Sequence, residues 1–360
     1  MCPALSITSQ AITPDSQTLA VGAHSFTDRR CGGGDSSLTL WNLQTGKPIK
    51  TLVTGGVGEA MLAGEEYKQQ EPPDSWELVG DIAHDVEFTP DGQLLVGAMS
   101  DKTIKLWNAK NGELVRTLKG HKYAVRAVEI TPDGQNFITG GSDKTIKIWN
   151  RKTGRVIRTL QESEIVFDLH LSPDGKRLIS ITQPYGFSDT AQLKIWDWQS
   201  GKVIRTFSIA ANLAQPVIFS PDGQIIITTS TDNSIKLWNA RTGARIRSLT
   251  SHTNKILSLA ITQDGQFLAS SSGDQSVKLW NFKTGQLIRT IPNIGFVNLA
   301  FSPDGKTLLI SDGSSNVQLW NWRLPEKIRT IEDNSNMGFT PDGQTLLTIN
   351  WKIHSFQVWR

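Results

Sequence analysis

The stretch TPDGQNFITGGSDKTIKIWN, residues 131–150, decides the fold. Pro132 presets φ at the second position of a tight turn, and Gly134 supplies the positive φ that closes it. Before this turn, Val-Arg-Ala-Val-Glu-Ile (125–130) places apolar residues two apart, the period of a half-buried strand. After it come a second strand from Asn136 to Gly140, a turn carrying Asp143, and a third strand, Thr-Ile-Lys-Ile-Trp (145–149). Thr153-Gly154 then turns into a fourth, Val-Ile-Arg-Thr-Leu (156–160). These are strands a to d of one repeating unit.

The same register recurs on both sides of this stretch. Eight segments end in an aliphatic residue followed by tryptophan, at Trp41, Trp107, Trp149, Trp196, Trp238, Trp280, Trp320 and Trp359. Eight turn markers precede them, at Pro14, Pro90, Pro132, Pro173, Pro221, Gln263, Pro303 and Pro341. Seven read x-Asp-Gly, and the first reads Pro14-Asp15-Ser16. Marker and tryptophan are 17 residues apart in the second, third, fifth, sixth and seventh repeats. Four-stranded units of about 40–45 residues are the size of propeller blades. The expectation is therefore an all-β chain, a β-propeller of eight blades with four antiparallel strands each; seven blades is the alternative. The eighth repeat stops at Trp359-Arg360, the end of strand c, and six residues precede strand a of the first repeat near Ile7. The last blade should be three-stranded with an open edge on strand c, unless the N-terminus lies upstream of Met1. Residues 1–360 are read as a single domain with a long inserted loop at about 53–81.

The pattern Asp-Lys-Thr-Ile-Lys-Leu-Trp-Asn (101–108), with x-Pro-Asp-Gly before it, resembles the WD-repeat family, particularly its regular bacterial members, over nearly the whole chain. The resemblance implies a closed ring of twisted sheets around a central channel, used mainly to hold proteins or peptides. This sequence departs from the pattern in places. Trp196-Asp197 is the one literal Trp-Asp, and the Gly-His pair appears at Gly120-His121, with Ser251-His252 as a variant. The turn aspartate six residues before tryptophan is present at Asp35, Asp101, Asp143, Asp232 and Asp274, but is Thr190, Ser314 and Ile353 elsewhere. The resemblance also implies a buried hydrogen-bond network of histidine, strand-b hydroxyl, turn aspartate and indole. Two blades carry the full set: His121, Thr139, Asp143, Trp149, and His252, Ser270, Asp274, Trp280. Their role is structural, although the residue types mimic an active-site constellation.

Irregular segments are where function tends to sit. The large insertions fall in d-to-a and b-to-c connections, which share one face. The d-to-a connection from Val53 to about Asp81 carries Tyr67 and Trp76 among glycines and acidic residues. The first b-to-c turn holds His24, Phe26, Arg29, Arg30 and Cys31, and the fourth repeat adds residues around Tyr185 and Phe187. The position six before each turn marker, expected at the channel mouth, reads Thr8, His84, Arg126, Phe167, Gln215, Leu257, Val297 and Ser335. His84, Arg126 and Phe167 would offer one switchable, one charged and one aromatic contact, residue types suited to binding hot spots. The bland alternative is that these side chains plug a narrow channel.

Catalytic readings find little support. The mouth row holds one histidine and no carboxylate, too few ligands for zinc or calcium. The row two residues back (Ser6, Ile82, Ala124, Ile165, Leu213, Lys255, Gly295, Asp333) is no richer. Gly55-Gly56-Val57-Gly58 lacks the lysine of a phosphate loop, and repeat geometry sets no histidine beside Cys31. The chain is thus expected to be no enzyme and to need no cofactor; a small-ligand-binding or lactonase-like hydrolytic propeller is the alternative. Lys105, Lys147, Lys194, Lys236 and Lys278 recur two before tryptophan, and Arg116, Arg158, Arg205, Arg247, Arg289 and Arg329 recur in strand d. Spread evenly and balanced by 34 acidic residues, they are read as a solvated rim. A net charge of +3 on 360 residues argues against nucleic acid as a partner. No apolar run approaches the roughly 18–20 residues of a membrane helix, no signal peptide is visible, and two cysteines set no disulfide framework. The expected partner is a protein or peptide, met in the cytoplasm, not a membrane.

Overall fold

The structure, a computed structural model, describes residues 5–25, 35–56, 82–184, 190–210, 217–295, 297–312, 316–324, 326–332, 334–350 and 355–359. Among these residues, thirty-one strands and no helices form eight sheets. Seven sheets hold four strands in chain order, and the eighth holds three: Asn334–Phe339, Leu346–Asn350 and Ser355–Trp359. The fold is an eight-bladed β-propeller, as the repeats predict. Blades 2 to 7 span residues 83–119, 125–161, 165–210, 217–249, 256–292 and 297–331, each preceded and followed by connections that the sequence sets.

Blade 3 shows how the repeat works. Its strands are Val125–Ile130, Asn136–Gly141, Thr145–Asn150 and Val156–Gln161. Strand b is the middle of the sandwich of neighbours, with Thr139 opposite Val128 on strand a and Lys147 on strand c. Strand d slips by one residue between Ile148 and Trp149. The same bulge stands immediately before the repeat tryptophan in all seven four-stranded blades. A bulge bends and twists the outer strand, which makes room for the bulkiest side chain of each repeat.

The turn markers are held by more than proline and glycine. Gly134 lies at φ +65°, and its N–H donates to Thr131 O. The Thr131 hydroxyl donates to Asp133 and accepts from Asn136 N–H at 3.0 Å, while Asp133 Oδ1 accepts from Gln135 N–H at 2.9 Å. The residue before each marker is threonine or serine in all eight repeats, and this locking bond explains it. In blade 1, Ser16 replaces glycine and still adopts φ +58°.

Residues 1–169 and 170–360 form two compact units, and strand a of blade 4, Ile165–Leu171, runs across their boundary. In each unit the core lies between successive sheets. The first unit packs Leu38, Leu40, Met99 and Trp107 between blades 1 and 2. Ile104, Leu118, Phe137 and Trp149 do the same between blades 2 and 3. In the second unit Leu193, Ile226 and Trp238 join blades 4 and 5, and Leu237, Leu268 and Trp280 join blades 5 and 6. Burying such side chains at roughly 1.5–3 kcal/mol each is the main stabilising contribution of these seams. Sheet-to-sheet approach is close enough to select glycine: a Cβ on Gly140 would lie 2.3 Å from Val166 Cγ1.

Candidate functional site

Backbone hydrogen bonds gather the connections of a blade into two ends. The d-to-a and b-to-c connections meet through Ser142 N to Ala124 O, Ser100 N to Ile82 O, and Gly273 N to Lys255 O. At the opposite end, the c-to-d turn bonds the a-to-b turn, as in Arg151 N to Gln135 O and Phe282 N to Gln266 O. The three insertions interrupt b-to-c or d-to-a connections by their position between strands, and strand d of blade 1 continues through Gly56 before the longest of them. Arg29, Arg30, Tyr67, Trp76, Tyr185 and Gln215 lie outside the described residues.

His84, Arg126 and Phe167 are brought together within the first unit. Arg126 Nε donates to Ser142 Oγ at 3.0 Å, and its guanidinium stands 5.8 Å from the centre of the Phe167 ring. All three side chains are half-buried. Burial and then the Arg126 charge push the His84 imidazole down to about 4. His84 is therefore neutral near pH 7, and its change of charge is moved well below the ordinary histidine range. Leu257, of the same row, is half-buried in the second unit.

Directly below this trio are acidic residues that the sequence reading passed over. Asp85 Oδ2 accepts from Val128 N–H of blade 3 at 2.9 Å, and Oδ1 accepts from Val86 N–H at 2.9 Å. Ser258 does the equivalent in the second unit, accepting from Leu299 N–H at 3.2 Å. These side chains stitch strand a of one blade to strand a of the next. Glu87 accepts from Ile130 N–H, but burial and the neighbouring Asp85 carboxylate push its carboxyl up to about 8. Its Oε2 is buried with no hydrogen-bond partner among the described residues. A glutamate within the alternating run of strand a was the available signal.

The two polar networks are assembled as hydrogen-bonded chains. Trp149 Nε1 donates to Thr139 Oγ1 at 2.8 Å, Thr139 Oγ1 lies 2.8 Å from His121 Nε2, and His121 Nδ1 lies 3.0 Å from Asp143. Trp280, Ser270, His252 and Asp274 repeat the order at 2.9, 2.8 and 2.8 Å. With Nδ1–H facing the carboxylate, the hydroxyl donates to Nε2 and accepts from the indole, so each group is satisfied. Burial opposes ionisation of Asp143, but bonds from His121, Thr145 and Lys122 N–H hold its carboxyl at about 2. Burial outweighs Asp274 at His252 and lowers its imidazole. Thr139 and Ser270 are fully buried and already hydrogen-bonded to indole, so neither hydroxyl is presented to a substrate. Blades 4, 5 and 8 also carry the indole-to-hydroxyl bond, at Ser180, Thr228 and Thr348.

The basic repeats are more engaged than a solvated rim. Lys105 and Lys236 pair with Asp101 and Asp232 at 3.0 and 3.1 Å, and Lys278 is buried. Arg116 and Arg247 donate to the carbonyls of Lys152 and Lys283, in the c-to-d turn of the next blade, both at 3.2 Å. Among the described residues no three His, Cys, Asp or Glu side chains gather as a metal site needs, and no helix is long and apolar enough to cross a membrane.

Residues 83–331, running from the first strand of blade 2 to the last of blade 7, match the model of the NWD2 C-terminal β-propeller family. The chain belongs to this family. The Notchless protein homolog of Arabidopsis thaliana is 28% identical over 85 residues, which is 24% of this chain and 18% of that protein. The NWD2-type propeller is thus a WD-repeat β-propeller, and such families are generally non-catalytic scaffolds that bind proteins. The chain spans less than a fifth of the length of that curated relative.

Proposed function

We propose that this propeller is a non-catalytic scaffold that holds a protein or peptide partner on the face carrying the d-to-a and b-to-c connections, in a cytoplasmic setting. The carrying observation is Arg126, fixed between Ser142 Oγ and the Phe167 ring beside a neutral His84. A preorganised cation flanked by an aromatic face binds with little loss of side-chain freedom, and arginine and aromatic groups dominate interface energetics. The inserted connections, the longest of them at about 53–81, belong to the same class of connection and would enlarge the contact.

The test is a quantitative pulldown from cell extract with three proteins: wild type, Arg126→Ala, and a variant whose residues 57–81 are replaced by a five-residue Gly/Ser linker. Loss of shared partners in either variant, with unchanged thermal unfolding, supports this face. An identical partner set in all three proteins overturns it.

A further inference from the structure

At the position following the Trp-Asn or Trp-Asp pair, six blades bury an apolar side chain: Leu43, Ala109, Trp198, Ala240, Phe282 and Trp322. Blade 3 carries Arg151 there. In blades 4 and 7 the indole at this position donates to the a-to-b turn carbonyls of Gly175 and Gly305, at 2.8 and 2.9 Å. Arg151 Nη1 reaches the equivalent carbonyl, Gly134 O, at 3.4 Å, so the local bond is kept. Its other nitrogen crosses to Asp91 of blade 2 at 2.8 Å. A charged side chain that reaches the neighbouring blade stands where six other blades bury an apolar one.

A groove of about 330 Å³ lies beside Arg151 between blades 2 and 3, on the outer side. Leu94, Leu106 and the 56% exposed Val115 supply apolar wall, while Arg116, Arg151 and Lys152 bring three cations against the one carboxylate of Asp91. That carboxylate is already paired with Arg151, so the groove presents net positive charge beside an aliphatic surface. Its volume lies in the range of pockets that hold a side chain or small ligand. A free inorganic anion would leave the aliphatic wall wet, and a neutral apolar ligand would leave the cations uncompensated. A segment combining both chemistries satisfies both halves.

We propose that the groove between blades 2 and 3 is a second docking site, for an acidic peptide segment that inserts an aliphatic side chain between carboxylates. The aliphatic group lies against Leu94 and Val115, and the carboxylates face Arg116 and Lys152. The site is separate from the connection face carrying Arg126, on the other end and edge of the blades.

The experiment measures fluorescence anisotropy of a labelled Gly/Ser peptide with a central Asp-Leu-Asp-Leu-Asp, titrated with the full chain at low salt, where surface charge is least screened. Arg151→Trp installs the residue of blades 4 and 7, keeps a donor for Gly134 O, and closes the groove. Val115→Asp changes an exposed edge residue and adds a repelling charge. Each variant should bind the probe about tenfold or more weakly, with unchanged circular dichroism, whereas Ile246→Thr, an exposed strand-d change in blade 5, should bind as wild type does. A probe carrying lysine for aspartate should not bind. No binding by wild type, equal binding by Arg151→Trp and Val115→Asp, or displacement of the probe by single-stranded RNA but not by unlabelled peptide overturns the proposal.

Discussion

Thr139 illustrates how much one buried hydroxyl can carry: it accepts from Trp149 and donates to His121 in a site from which water is excluded. Thr139→Val keeps the shape and removes both bonds, leaving an indole N–H and an imidazole nitrogen unsatisfied. The expected cost is about 1–3 kcal/mol for each stranded group, read as a lower urea midpoint with unchanged slope. Glu87 makes the opposite kind of prediction. Its folded-state carboxyl titrates at about 8 against an ordinary 4.5, so the folded chain holds the proton more tightly than the unfolded chain does. Its contribution is fully present below pH 4.5 and is lost as pH rises through about 8. Glu87→Gln, a neutral isostere, should match wild type in melting temperature at about pH 3.5 and exceed it at pH 9. Equal melting curves at pH 9 would show that the charged form is accommodated. The groups facing Glu87 explain why the sequence did not announce it. Asp85 and Glu87 lie two apart on one strand, and only the neighbouring strand's Val128 and Ile130 N–H groups turn them into a stitch.

At the scale of the element, strand b of blade 3 is defined by how near its neighbour comes. Gly140 is a poor strand residue by intrinsic preference, yet Val166 and Leu169 occupy the space its Cβ would need. Gly140→Ala should destabilise by about 1–3 kcal/mol through overpacking, and Val166→Ala in the same chain should return part of that loss. Chemical unfolding of the two single variants and the double variant measures the coupling. Alternation and turn residues made the strands readable, because their period and backbone angles are local properties. The bulge before the repeat tryptophan of the seven four-stranded blades was not readable. It arises where strand d must pass a bulky side chain on strand c, a relation between elements. The serine or threonine before each turn marker stands in between: the pattern is visible in the sequence, but its reason is the locking bond to aspartate.

For the whole molecule, the outer strands set the main colloidal liability. Strand d ends the sheet order in each four-stranded blade and exposes aliphatic residues such as Ile157 (58%), Ile246 (49%), Ile288 (44%) and Ile328 (58%). Unpaired, apolar edges invite strand pairing with other chains. Replacing these four by threonine should change unfolding free energy by about 0.5 kcal/mol or less per site, while raising the ammonium sulfate concentration needed to precipitate the protein. A large stability loss would show that these side chains are packed, not displayed. The sequence by itself determined the eight repeats, the four-strand unit and the three-stranded last blade, because each follows from local periodicity and turn residues at fixed spacing; the members of both polar networks came from its resemblance to the WD-repeat family. Only the tertiary structure decided that burial and Arg126 lower the His84 imidazole, that Asp85 and Glu87 bind the next blade, that Arg116 and Arg247 clasp neighbouring turns, and that a groove lies beside Arg151. The physical reason is common to all four. Burial, electrostatic shielding and vacant volume belong to pairs of blades, and residues more than thirty positions apart, such as Asp85 with Val128, Asp91 with Arg151 or Arg116 with Lys152, set them together.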